Sequence, residues 1–263
     1  MIGSKDGYAL ITGASGGIGY ELAKLFAEDG KDIVVIARSQ DKLEDLKQEV
    51  EDKYGTNVKV LVKDLSDPNS PQEIYTELEE TMVTVDVLVN NAGFGVYGMF
   101  SENDLQQELD MIQVNITSLT HLTKSFLRKM LDNKSGHILN VGSTGSFAPV
   151  PLEAAYGASK SFVLSFSEAL ANELQGTGVS VTCLCPGLTD TGFYERAVGK
   201  APGPNKRRKM MDAATIAKAG YKALEQGEAY VIPGLVYKLI PIGIRIFPRN
   251  WIVKVSRWML EQA

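Results

Sequence analysis

Two cysteines and two histidines in 263 residues leave little room for disulfide or metal chemistry. Cys183 and Cys185 are too few for a disulfide framework. Their spacing puts them on one face of a predicted strand, where small buried residues belong. His121 and His137 have no partner at ligand spacing, so both read as structural and no metal site is expected. No apolar run precedes the first strand at Tyr8, which predicts a cytoplasmic protein without a secretory leader. No Pro/Gly/Ser-rich linker, internal repeat or low-complexity stretch divides the chain. At 44% hydrophobic residues it can bury a large core, so a single domain over residues 1–263 is predicted.

Charge is in acidic excess, but unevenly. The formal net charge is −5, yet residues 229–263 hold Lys238, Arg245, Arg249, Lys254 and Arg257 against Glu261 alone, a local +4 that leaves −9 for residues 1–228. An acidic body argues against a nucleic-acid surface.

What is present is a repeating alternation. Tyr8–Thr12 is a short apolar strand ending at a glycine turn, followed by a helix to about Asp29 with Leu22, Leu25 and Phe26 at helical spacing. Strands are predicted at Ile33–Ala37, Val58–Val62, Val85–Asn90, His137–Val141 and Val179–Leu184. Helices are predicted at Asp41–Tyr54, Pro71–Met82, Leu105–Leu131 (as two helices) and Ala155–Leu174. Near-continuous Val/Ile/Leu strands between amphipathic helices imply a Rossmann-like, doubly wound parallel α/β sheet with helices on both faces. Ligands in such a fold bind beyond the carboxyl ends of the strands.

Chemistry-bearing motifs fall at those ends. Thr12-Gly13-Ala14-Ser15-Gly16-Gly17-Ile18-Gly19 is a turn that can seat a pyrophosphate: Gly13, Gly17 and Gly19 give the tight turn, the close backbone approach and a helix start, and Thr12, Ser15 and Ile18 complete the loop. Asn90-Asn91-Ala92-Gly93 follows the fourth strand. Tyr156 and Lys160 stand one helical turn apart, where the ammonium is expected to stabilise the phenolate and bring the phenol toward the operating pH. Ser143 ends the fifth strand, and its hydroxyl can hydrogen-bond a substrate carbonyl. Asn115 is a polar residue of poor helix propensity in mid-helix, which calls for a reason. A second Tyr-x-x-x-Lys, Tyr20 to Lys24, is read as packing of Tyr20 on the first helix with Lys24 solvated.

Over roughly residues 5 to 232 these motifs together resemble the classical short-chain dehydrogenase/reductases, and more specifically uncharacterised bacterial oxidoreductases of that type. The resemblance implies a catalytic tetrad of Asn115, Ser143, Tyr156 and Lys160. In the family that asparagine holds a water against the lysine and the lysine hydrogen-bonds the nicotinamide ribose, roles the resemblance implies for Asn115 and Lys160. It implies cofactor contacts from Asn91, Ala92 and Gly93, an adenine-contacting pair Asp64 and Leu65, and a nicotinamide-contacting segment Pro186, Gly187, Leu188 and Thr191. Asp64 also reads as a turn residue before the following helix. Helices around Leu119–Leu131 and Ala155–Leu174 resemble those through which the family forms homodimers or homotetramers.

Cofactor choice is read after the second strand. A carboxylate there would receive the adenine-ribose hydroxyls, but this chain has Ala37, then Arg38 and Ser39. A guanidinium suits a 2′-phosphate, so NADP (NADPH) is expected. Substrate contacts are expected from Phe94, Tyr97, Phe147, Leu152 and Phe193, with Val150 and Tyr194 nearby, so the ligand should be mostly apolar. Residues 188–212 form the expected substrate loop; its Lys206-Arg207-Arg208-Lys209 run reads first as a solvated charge cluster and second as a holder for the phosphates of a coenzyme A thioester or for an acidic carrier protein. Residues 233–263 form a basic, apolar extension that Pro233, Pro241 and Pro248 break into pieces too short to span a bilayer. Docking on the body is its first reading, and peripheral membrane contact is the second.

The expected activity is hydride transfer between NADPH and a mostly apolar ketone or aldehyde, 3-ketoacyl or steroid-like, or the reverse alcohol oxidation. The alternative is a nucleotide-binding interaction or membrane-surface protein with the same fold and little turnover, which the complete tetrad disfavours.

Overall fold

Runs of Val, Ile and Leu without a polar face are satisfied only where both faces of a sheet are covered, and these segments fold that way. The computed structural model describes residues 2–4, 7–193 and 210–261. Strands β1 Tyr8–Thr12, β2 Asp32–Ala37, β3 Val58–Val62, β4 Val85–Asn90, β5 Gly136–Val141 and β6 Val179–Leu184 pair in parallel. Two short strands, β7 Thr189–Asp190 and β8 Met211–Asp212, pair apart from them, and β9 Tyr230–Val231 adds a seventh strand at the edge of β6. The spatial order β3-β2-β1-β4-β5-β6-β9 reverses between β1 and β4. At that reversal the crossover helices diverge to opposite faces and leave a crevice at the carboxyl ends.

The helices are α1 Gly17–Glu28, α2 Gln40–Tyr54, α3 Ser70–Glu80, α4 Leu105–Ile112, α5 Leu119–Asp132, α6 Ala154–Glu173, α7 Ala213–Gln226, α8 Ile240–Ile246 and α9 Arg249–Glu261. Successive strand residues feed opposite layers. Ile33 and Val35 pack with Leu22 and Phe26 of α1, Leu43 and Leu46 of α2 and Ile216 of α7. Val34 and Ile36 pack on the other face with Ile74 and Leu78 of α3 and Leu122 and Phe126 of α5. Each such side chain, fully withdrawn from water, contributes about 1.5–3 kcal/mol. At the opposite end of the sheet the Lys31 ammonium is buried. It bonds Asp86 at 2.8 Å and the Ser4 carbonyl at 2.7 Å, which ties the N-terminal segment under β4.

The segment expected as two helices, Leu105–Leu131, is α4 and α5, joined without a loop by a π-helical turn, Gln113–Ser118, that carries Asn115. Two expectations are corrected. Helix α7 lies outside the expected set, although Asp212 caps its start (Oδ1 to Thr215 N, 2.7 Å) and Gly227 ends it in the left-handed conformation. The C-terminal extension docks on the body only at its start, where Pro233 is buried and the Tyr237 ring packs against Gly187, while no described residue of 240–261 is buried. Pro241 sits in the first turn of α8, where a missing N–H costs nothing, and Pro248 separates α8 from α9. Among the described residues no helix is long and apolar enough to cross a membrane.

Candidate active site

The glycine turn after β1 closes against two other predicted segments. Gly13 and Gly17 have φ of 68° and 60°, which glycine adopts without strain. A Cβ on Gly13 would lie 2.8 Å from Asn91 Nδ2, and one on Gly17 would lie 2.9 Å from Thr191 Cβ, so larger residues would push these segments apart. The Thr12 hydroxyl accepts from the Asn91 and Ala92 N–H groups, each at 3.0 Å, and the Asn91 amide donates to the Thr12 carbonyl at 2.8 Å. The ends of β1 and β4 are thereby bolted together. Among the described residues no side chain caps α1, and its first turn carries no acid. Its leading N–H groups are left for an outside acceptor, and a Cβ on Gly16 would meet nothing within 4 Å, so the rim is open. This cradle fits a dinucleotide pyrophosphate, with Gly13, Ser15, Gly17, Ile18 and Gly19 as its wall.

Arg38 and Ser39 are exposed beyond β2. Arg38 lies 3.6 Å from the Asp64 carboxylate, with 72% of its side chain exposed, so this pair is a loose surface contact. Asp64 also accepts from Ser66 N and Oγ, which makes it the turn residue it was read as. Although burial opposes the charge, these bonds and Arg38 hold its carboxyl below the ordinary value. Leu65 is committed to the core, and its carbonyl accepts from Ser118 Oγ at 2.7 Å.

All four predicted tetrad residues meet at the ends of β4 and β5. Tyr156 and Lys160 are buried on α6. The Lys160 ammonium donates to the Val141 carbonyl at 2.9 Å and lies 5.9 Å from the Tyr156 ring centre. Ser143, one residue past the Gly142 that follows β5, stands next to the Tyr156 side chain and works against the upward shift of its pKa. The Asn115 amide donates to the Phe94 carbonyl and Ser159 Oγ, each at 3.0 Å, while its oxygen accepts from Phe94 N. An extra residue in the helix turn lets Asn115 reach the loop after β4, a common reason for a π-turn at a site. Gly93 is required there, since a Cβ would come within 2.8 Å of the Asn115 oxygen and 3.2 Å of the Lys160 nitrogen.

Two positioning residues were not foreseen. Ser146 Oγ accepts from Ser143 N and donates to the Lys160 carbonyl at 2.7 Å, while Ser159 Oγ donates to the Tyr156 carbonyl at 2.7 Å. Both were within reach of the sequence: Ser143-x-x-Ser146 is a capping pattern, and Ser159 lies inside the Tyr156–Lys160 motif.

The expected effect of Lys160 on the phenol is corrected. Burial is the largest influence on both groups: it pushes Tyr156 above the ordinary phenol value and pulls Lys160 down to about 8. The ammonium gives one of its bonds to the Val141 carbonyl, while burial, with the Glu153 carboxylate adding to it, keeps the phenol protonated. Lys24 is corrected as well. It is partly covered, pairs with Glu49 at 3.2 Å and sits over the Tyr20 ring, whose hydroxyl donates to the same carboxylate.

Of the expected substrate residues, Phe193 packs against Tyr156 with ring centres 5.4 Å apart, and Phe94 joins the same cluster. Tyr97 lines a cleft of about 470 Å³ that runs toward Arg38 past Glu102, Asp104 and Asp110. Leu152, at φ 69°, accepts from Gly98 N at 2.8 Å and so ties the two loops together. Phe147 instead packs with Cys183, Cys185, Ile232 and the Tyr230 ring, away from the phenol. Pro186 and Gly187 hold their loop in place through Thr144 N and the Tyr237 ring, and Leu188 is exposed beside them. Tyr194 and the Lys206–Lys209 run lie outside the described residues.

Residues 7–200 match the model of the short chain dehydrogenase family. The chain belongs to that family. An uncharacterized oxidoreductase of Staphylococcus saprophyticus is 32% identical, over 86% of this chain and 94% of its own. A very-long-chain 3-oxoacyl-CoA reductase of Pyrenophora tritici-repentis is 33% identical, over 98% and 78%. Among solved structures, a short-chain dehydrogenase from Sphingobium yanoikuyae in complex with NADPH superposes with a TM-score of 0.83 at 31% identity, over 91% and 92% of the two chains. The protein is thus an oxidoreductase of the alcohol–carbonyl couple.

The lowered pKa of Lys160 has a consequence for stability. Between about 8 and the ordinary lysine value of 10.5, the unfolded chain holds this proton and the folded chain does not, so stability attributable to Lys160 rises with pH there. Tyr156 acts oppositely above the ordinary phenol value of 10.0, where only the unfolded state ionises. Urea unfolding of the wild type and of Lys160→Met at pH about 7 and about 9.5 should show a steeper gain for the wild type. Equal gains in both would refute the buried, weakened ammonium.

Proposed function

We propose that this enzyme is a cytoplasmic, NADPH-dependent reductase of a mostly apolar ketone or aldehyde, 3-oxoacyl or steroid-like, or the dehydrogenase of the corresponding alcohol. The observation that carries this reading is the convergence of Tyr156, Ser143, Lys160 and Asn115 at strand ends next to the uncapped start of α1.

When bound, the nicotinamide cofactor supplies or receives the hydride. Tyr156, kept protonated by burial, donates its phenol proton to the carbonyl oxygen, and the Ser143 hydroxyl hydrogen-bonds that oxygen. Lys160 holds positive charge near the phenol as it gives up the proton, and Asn115 fixes the loop that carries Gly93 and Phe94. Phe94 and Phe193 beside Tyr156 favour an apolar group on the substrate. The 3-oxoacyl-CoA reductase similarity, which extends into the C-terminal segment, supports an acyl chain.

Tyr156→Phe should lower turnover of an apolar ketone by at least ~10², the contribution of a general acid, while NADPH still binds. Tyr20→Phe, whose hydroxyl is occupied by Glu49, should leave turnover nearly unchanged. NADPH absorbance against a panel of ketones reads both. A smaller loss at Tyr156 would remove it from the reaction.

For the cofactor, charge-assisted hydrogen bonds from Arg38 to a 2′-phosphate are worth about 1.5–3 kcal/mol, roughly ten- to a hundredfold in affinity. Its loose pairing with Asp64 leaves the guanidinium available. Titration should therefore favour NADPH over NADH by that margin, less so as salt rises, and Ala37→Asp with Arg38→Ile should reverse the preference. Equal affinities in the wild type would exclude Arg38 as the reader.

We also propose a symmetric dimer at least, formed through the helices α4–α5 and α6. Leu105, Leu109 and Ile112 leave an exposed apolar stripe there, and Phe162 stacks on Phe166 at the surface. Light scattering at micromolar concentration should give at least twice 28.6 kDa, and a monomer would refute the interface.

A further inference from the structure

The C-terminal segment turns its apolar side chains outward. Leu235 and Leu239, in the turns that lead into α8, and Ile242 and Ile246 within it are all exposed, with 84% at Leu235 and 70% at Ile246. In α9, Trp251, Val255 and Trp258 share the outer face at i, i+4 and i+7, with Trp251 66% exposed. Lys254 and Arg257 flank that face, and the single carboxylate, Glu261, is taken by Arg257 at 2.7 Å. Apolar surface of this extent, rimmed by charge of one sign, needs an occupant.

We propose that residues 235–258 form a docking surface for an anionic lipid bilayer. Burial against the body is not the answer, because no described residue of 240–261 is buried. A second copy meeting this face symmetrically would bring a +4 segment onto another +4 segment. An anionic headgroup layer supplies the opposite charge, and the acyl boundary beneath it supplies the apolar contact. Two short helices parted by Pro248 suit a position in the plane of the interface, with both tryptophans at headgroup depth. The segment leaves the body beside the site, since the Tyr237 ring fills the space that a Cβ on Gly187 would take. Delivery of an apolar substrate from the bilayer would rest on the proposed carbonyl chemistry. The binding itself does not.

Trp251 and Trp258 are the only tryptophans in the chain, so intrinsic emission reports on this face alone. The full chain would be mixed with vesicles of phosphatidylcholine, with or without phosphatidylglycerol, and followed by tryptophan emission and co-sedimentation. The expected result is a shift to shorter wavelength and co-sedimentation with the anionic vesicles only, reversed by salt on the order of 0.5 M. Lys254→Glu with Arg257→Glu should reduce the bound fraction at least about tenfold while the melting temperature is kept. Unchanged emission and no co-sedimentation with anionic vesicles would overturn the proposal, whatever the enzyme's activity. So would emission already shifted without lipid in a particle whose mass grows with concentration, because a second copy would then cover the face.

Discussion

One buried ammonium sets the terms for the rest of the site. Lys160 can be withdrawn from water only if its proton donors are met, and the Val141 carbonyl at the end of β5 meets one of them. To reach it, α6 must lie close over β5. Ser146 fixes that approach by bridging Ser143 N and the Lys160 carbonyl. The loop after β4 must then pass without a side chain, which is why glycine stands at 93. Tyr156, one turn before Lys160, is carried into the same dry region.

The nucleotide end is built on a different constraint, the joining of two strands that are far apart in sequence. Thr12 and Asn91 exchange backbone and side-chain hydrogen bonds across the switch point, so the glycine turn and the Asn-Asn-Ala-Gly loop move as one body. Behind them Asn90, Asn140, Thr123 and Ser167 form a buried polar chain that crosses from β4 to β5 and on to α6. Its amide N–H groups are paired, although Asn90 Oδ1 finds no partner among the described residues, and the chain of bonds links the nucleotide half to the catalytic half.

Most of the sheet was legible because long apolar strands and amphipathic helices repeat their period several times. The two-residue strand β9 was not, since two residues carry no period. Helix α7 was legible in its caps, Asp212 and Gly227, but its core face uses small residues such as Ala217, Gly220 and Ala223, which weaken an apolar pattern. The expected tetrad came from resemblance to the family's motifs, and the structure brings its four residues to one place. What the motifs did not carry was the electrostatics: the influence of Lys160 on Tyr156 depends on where the ammonium's hydrogen bonds go, and Val141 contributes only a backbone oxygen. The misplacement of Phe147 has the same origin, because an aromatic residue in a site loop can face either the site or the core.

The shifts of Tyr156 and Lys160 share one cause and set the resting state of the site. Burial disfavours the charged form of each, so the phenol keeps its proton and the ammonium holds its own less firmly than a lysine in water. A protonated phenol can give its proton to a carbonyl oxygen, and for the reverse step the phenolate must be stabilised by the groups around it. The same residues serve both directions, because forward and reverse reactions cross one shared barrier, so the direction of net reaction follows from the substrates present and not from the lysine's partner. What the Val141 carbonyl decides is where the charge sits: it holds the ammonium 5.9 Å from the centre of the Tyr156 ring, within a dry region where its field is weakly screened.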